Sequence, residues 1–101
     1  MNSTTAALTQ LFERIPRRHS TDNVKDIYSI LNEYEDILIS IEGENSFYEK
    51  NTAIYFDDLE NVRTIIKKST DSKASKKNKD NLFDEASGLL KDSMQSLLDV
   101  Y

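Results

Sequence analysis

DNVKDIYSILNEYEDILISIE, residues 22–42, is the stretch that decides the fold. Val24, Ile27, Leu31, Tyr34, Leu38 and Ile41 alternate in steps of three and four, a heptad seam held for three repeats. Ile30 and Ile37 widen the same face. A helix gathers residues at this spacing on one side, whereas the two-residue period of a strand scatters them. Ser20, Thr21 or Asp22 can cap its start, and Gly43 stands where a left-handed residue commonly ends a helix. The stretch predicts a helix over 22–42 with a broad apolar face that must be covered.

The cover is encoded on both sides. Upstream, Leu8, Leu11, Phe12 and Ile15 form a narrow stripe, and Pro16 disfavours helical geometry at the residue before it. This predicts a short helix over 4–14 that closes one end. Downstream, Ser46 and Glu49 match a capping box. Phe47, Tyr48, Ile54, Tyr55, Leu59, Val62, Ile65 and Ile66 then fall on one side of a helix predicted over 46–68. So short a turn around Gly43 leaves only an antiparallel hairpin between these two long helices. Apolar periodicity vanishes over 69–79, which reads as a mobile basic linker. It returns over 80–101 with Leu82, Phe83, Ala86, Leu89, Leu90, Met94, Leu97 and Tyr101. The expected fold class is all-α: one small helical bundle over 1–101, a long antiparallel hairpin with a C-terminal helix and a short N-terminal helix.

Composition narrows the function classes. With 101 residues, 38% apolar and 31% charged, the core is thin and suits a bundle completed against a partner. There is no Cys, and His19 is the single His, so disulfides and thiol chemistry are excluded and a His-rich metal site has no second member. No metal, no cofactor and no catalytic residue is expected. No apolar run approaches the ~20 residues that span a bilayer, and the first segment lacks the apolar core of a secretory leader. That segment is amphipathic and basic like a mitochondrial presequence, but no small-residue processing site follows it. The expected setting is intracellular, cytoplasm or nucleus.

Charge is segregated along the chain. Residues 22–60 hold eleven acids and two bases, whereas residues 61–79 hold seven bases and one acid. Antiparallel helices put the start of one beside the end of the next. Arg17 and Arg18 should therefore meet Lys67, Lys68, Lys76 and Lys77 at one basic end, with Lys67 and Lys68 favouring a helix C-terminus. Glu35, Asp36, Asp57 and Asp58 form a candidate acidic surface on the hairpin. Tyr28, Ile39, Phe56 and Leu98 fall off the main stripes and form the candidate apolar partner-binding surface. Arg17-Arg18-His19-Ser20 matches a pattern read by basophilic kinases, and also reads simply as a basic turn with a capping serine. Asn51 and Asp58 interrupt the stripe of the 46–68 helix, either as buried register-setting groups or as groups at its edge.

Ile41-Glu42-Gly43 occupies the mid-chain turn where a family of small secreted helical hairpins carries Trp-x-Gly. The resemblance covers three residues without the Trp and carries over no function. The expected function is non-catalytic protein–protein recognition, as a small adaptor-like subunit of a helical assembly or as a homodimer. An acidic inhibitor or immunity-type protein that blocks a basic site on an enzyme is the alternative. Nucleic-acid binding through the basic end ranks third.

The seam assignment carries a direct test. Leu31→Ala, Leu38→Ala, Leu59→Ala and Leu90→Ala should each lower stability by about 2–5 kcal/mol, read as the shift of the urea unfolding midpoint. An unchanged midpoint for Leu38→Ala would mean that the 22–42 face is misassigned.

Overall fold

The computed structural model describes residues 3–101, which form five helices and no strand. These are α1 (Ser3–Arg14), α2 (Thr21–Glu42), α3 (Ser46–Asn51), α4 (Ala53–Ser69) and α5 (Lys76–Val100). The seam of α2 is buried as its period requires: Ile27, Ile30, Leu31, Tyr34, Leu38 and Ile41 are all enclosed. Ser20 is its cap, with Oγ accepting from the Asn23 N–H at 3.0 Å.

α1, α2, α4 and α5 run alternately up and down. α1 and α4 each pack on both α2 and α5, which makes α2 and α5 a diagonal pair without close backbone contact. Arg14 meets Glu33 at 3.0 Å, and Ala7 shares a recess with Ser40, so α1 is antiparallel to α2. Arg63 on α4 reaches back to Glu35 and Asn32, so α4 is antiparallel to α2 as well. The rod measures 45 × 23 × 18 Å. Its length is set by α5, whose 25 residues span about 37 Å.

The N-terminal helix does not close an end, as its shortness suggested. It lies lengthwise as the fourth wall and buries Leu8 and Leu11. Its 12 residues cover only part of the rod, and residues 15–20 continue the wall as a non-helical strap. Ile15 is buried, the Ser87 Oγ donates to the Pro16 carbonyl at 2.7 Å, and the His19 ring meets Phe83 edge-on at 5.8 Å.

Four features at the helix ends depart from the sequence pattern. The helix expected over 46–68 is interrupted at Thr52, beside two side chains that bond carbonyls of the first turn. Asn51 Nδ2 donates to the Phe47 carbonyl at 2.7 Å, and Thr52 Oγ1 donates to the Tyr48 carbonyl at 2.8 Å. Asn45, not Ser46, caps the start, accepting from the Tyr48 N–H at 3.0 Å. Gly43 ends α2 at φ −79°, not left-handed, and an added Cβ would meet only ordinary contacts at 3.6 Å and beyond. The connection expected over 69–79 is shorter. Ser69 belongs to α4 and is buried, Lys76 starts α5, and residues 70–75 form a turn in which Asp71 Oδ1 accepts from the Lys73 N–H.

The diagonal is joined by one polar contact. The hydroxyls of Tyr34 and Ser93 share a buried hydrogen bond of 2.9 Å between α2 and α5. No buried side-chain nitrogen or oxygen among the described residues lacks a partner. Burial raises the Tyr34 phenol well above its ordinary value, against a smaller opposing effect of the Ser93 bond. A phenol whose folded pKa is raised contributes its full stability below its unfolded pKa near 10 and loses it as pH climbs beyond. Wild-type stability should therefore fall more steeply above about pH 10 than that of Tyr34→Phe, which itself should cost about 0.5–1.5 kcal/mol at neutral pH. Urea midpoints at pH 7 and 11 check both; parallel alkaline losses would show that the phenol is not enclosed.

Candidate functional site

The up-down order sorts the molecule into two poles. α2 and α5 end, and α4 begins, at the pole that holds α3; the opposite pole holds the strap and the 70–75 turn. The first pole is acidic and apolar, the second basic.

At the acidic pole α3 precedes α4 across Thr52. Ile54 lies about 100° from Tyr55 around α4, beside the face that buries Tyr55, Leu59, Val62 and Ile66, and Phe47 of α3 is likewise left outside. Phe47 is 61% exposed, Ile54 63% and Val100 61%. These three share the lip of a recess of about 220 Å³, above a floor that includes Thr52, Tyr55 and Leu97. The recess has a built wall: the Phe47 and Tyr48 rings meet edge-on at 5.3 Å, and Tyr48 meets Tyr101 at 5.4 Å. The Tyr101 hydroxyl donates to the Glu44 carboxylate, 2.8 Å from each oxygen, which ties the end of α5 to the turn before α3. Desolvation first, and then the bond to Glu44, raise the Tyr101 phenol.

At the basic pole Lys76, of the four lysines expected there, shares a recess with Arg17 and Arg18. Arg17, Arg18, His19 and Lys76 line one recess together with Asp80 and Asp84. His19 also borders a second recess with Val24, Tyr28, Thr70 and Lys79. Lys67 and Lys68 occupy the last turn of α4, where the helix dipole favours cations. Lys76 and Lys77 do not lie in a loop: they form the first turn of α5, where that dipole disfavours them, and no acid occupies that turn.

The acidic quartet is not brought together. Glu35 is half-buried and paired with Arg63 at 3.0 Å, and Arg63 also binds Glu60 at 2.7 Å. Asp36 lies on the other flank of α2, beside Ser3 and Thr4 at the start of α1. Asp57 is exposed and Asp58 half-buried on α4. Asn51 is exposed, so it sits at the edge of the stripe and not within the core.

The expected apolar partner surface is also divided. Tyr28, Phe56 and Leu98 are half-buried and packed against the core, and only Ile39, 55% exposed, stands clear of it. Tyr28 belongs to the basic pole. The apolar stripe read over 46–68 takes in Phe47 and Ile54, and Val100 falls outside the stripe read over 80–101. The signal for Ile54 was its offset of about 100° from Tyr55 around the helix.

Among the described residues no group of three or more His, Asp or Glu side chains is placed to hold a metal ion. No helix is long and apolar enough to cross a membrane. No known protein family, curated protein or solved structure matches the chain.

The misplaced lysines yield a stability test. Lys77 is exposed in the first turn of α5. Lys77→Glu should raise stability by about 0.3–1 kcal/mol through the helix dipole, seen as a higher urea midpoint at low salt. A lower midpoint would show that the lysine makes a favourable contact elsewhere.

Proposed function

We propose that this chain is a non-catalytic protein-recognition module that engages its partner through the recess at the acidic pole. One observation carries the reading. Of the four large apolar side chains that stand well exposed among the described residues, three (Phe47, Ile54 and Val100) converge on one recess. Scattered exposed apolar residues are ordinary, whereas a cluster rimmed by charge is the pattern of a docking site. The module acts as a small subunit or adaptor within a larger intracellular assembly, in the cytoplasm or nucleus, and buries this pole against another protein.

The inhibitor reading draws less support, because Glu35 is already engaged by Arg63 and Asp36 lies beside α1. Nucleic-acid binding would use the basic pole, where Asp80 and Asp84 share the recess with Arg17, Arg18 and Lys76 and oppose a phosphate.

A photo-reactive residue in place of Ile54, compared with one at exposed Ser29 on α2, tests the reading in cells that express the chain. Adducts should form from position 54 and not from 29. Ile54→Ser and Phe47→Ser, exposed positions whose replacement should change stability by less than about 0.5 kcal/mol, should abolish capture of the same partner. Capture unaffected by both substitutions would move the binding surface elsewhere.

A further inference from the structure

The charge around the recess selects its occupant. The stretch 42–60, which forms this pole, carries six acids and the single base Lys50. Among the described residues only one of those six acids is in an ion pair, Glu60 with Arg63. Asp57 and Asp58 stand one turn beyond Ile54 on α4, and Asp99 precedes Val100 on α5. Among the described residues no carboxylate lines the recess itself, but these three lie one residue or one turn from its lip. None of them is in an ion pair among the described residues, and Asp99 accepts only from the neutral Gln95 amide.

From this we infer that the occupant is a basic amphipathic helix of another protein, which inserts a large apolar side chain between Phe47, Ile54 and Val100 and sets Lys or Arg against Asp57, Asp58 and Asp99. The inference rests on the recognition reading above and adds the partner's chemistry. A volume of about 220 Å³ is smaller than the roughly 300–1,000 Å³ of small-molecule sites, and suits one anchoring side chain. The described residues form no strand, so there is no sheet edge to which an extended peptide could add by main-chain hydrogen bonds. Helix-in-groove docking needs only side-chain anchors at i, i+3, i+4 and i+7.

A second copy of the chain fits poorly. Its bases lie at the opposite pole, where the apolar side chains near them, Val24 and Tyr28, are half-buried. It would bring positive charge without an anchor, or its own Phe47 and Ile54 with more negative charge. Acidic lipid surfaces are repelled by the same carboxylates.

Fluorescence anisotropy with three labelled 18-residue peptides tests the inference on the purified full chain. One is an amphipathic helix with Leu and Phe anchors and Lys/Arg flanks. The second has Glu in place of every Lys and Arg, and the third is the basic peptide scrambled so that its anchors no longer share a face. The basic helix should bind at least about tenfold more tightly than either control at 50 mM salt, and lose several-fold of that affinity at 300 mM. Asp57→Asn with Asp58→Asn should weaken it several-fold and flatten the salt dependence, while Ile54→Asp should abolish binding with the thermal melt unchanged.

Equal binding of the basic and scrambled peptides would overturn the helical occupant. Equal binding of the acidic helix would overturn the charge selection, yet leave the recognition reading intact if Ile54→Asp still abolished it. No peptide binding, with cross-linking from position 54 preserved, would overturn the partner class alone. Self-association of the pure chain that Ile54→Asp removes would assign the recess to a second copy. Peptide binding indifferent to both Ile54→Asp and Phe47→Ser would overturn the inference and the site together.

Discussion

The hydrogen bond between Tyr34 and Ser93 is the contact on which the rest of the bundle depends. α2 and α5 face each other across the diagonal, where apolar side chains alone specify spacing but tolerate sliding. A phenol buried in that interior must keep a partner, and an unpaired hydroxyl there costs about 1–3 kcal/mol. A one-turn shift of either helix would separate Tyr34 from Ser93 and leave both hydroxyls without it. Register along the diagonal is thereby fixed, and with it the level at which α5 ends beside α3 and the level at which Phe83 meets His19. Ser87, holding the Pro16 carbonyl, repeats the device for the strap.

Register and topology together sort the charge. The sequence alternates acidic and basic blocks, and an up-down chain stacks them according to which end of each helix they occupy. Arg17, Arg18, Lys76 and Lys79 collect where α2 and α5 begin, while Glu42, Glu44, Glu49 and Asp99 collect where α2 and α5 end. Among the described residues the ion pairs are Arg14 with Glu33, and Arg63 with Glu35 and Glu60, none of them between these end charges. Exposed pairs of this kind contribute at most about 1 kcal/mol each. The polarity of the rod therefore adds little to its stability.

The helices were legible wherever apolar period and breakers agreed. Ile27 through Ile41, Pro16 and the Ser20 cap all stand where spacing and side-chain chemistry put them. What escaped depended on side chains acting against the pattern. Asn51 and Thr52 bond two carbonyls at the point where a helix that hydrophobic spacing runs straight through is interrupted. Ser87 and Ser93 are buried although polar, because their partners, Pro16 and Tyr34, lie 71 and 59 residues away. The basic pole followed from topology alone, since it needs only the order of helices. The apolar recess did not, since it forms where the ends of α3, α4 and α5 bring Phe47, Ile54 and Val100 together, which no single helix pattern shows.

The short α1 has a consequence in time. It buries Leu8 and Leu11 within its own length, packs Phe12 against the core beneath the Lys91 ammonium, and is held further by Ile15, the Pro16 carbonyl and the exposed Arg14–Glu33 pair. α2, α4 and α5 share a far larger set of enclosed side chains and are fastened by the Tyr34 bond. With fewer enclosed side chains than its neighbours, α1 is the wall from which local opening should start. Its amide protons should exchange with solvent through that partial opening, faster than those at the centre of α2, whose release awaits unfolding of the whole rod.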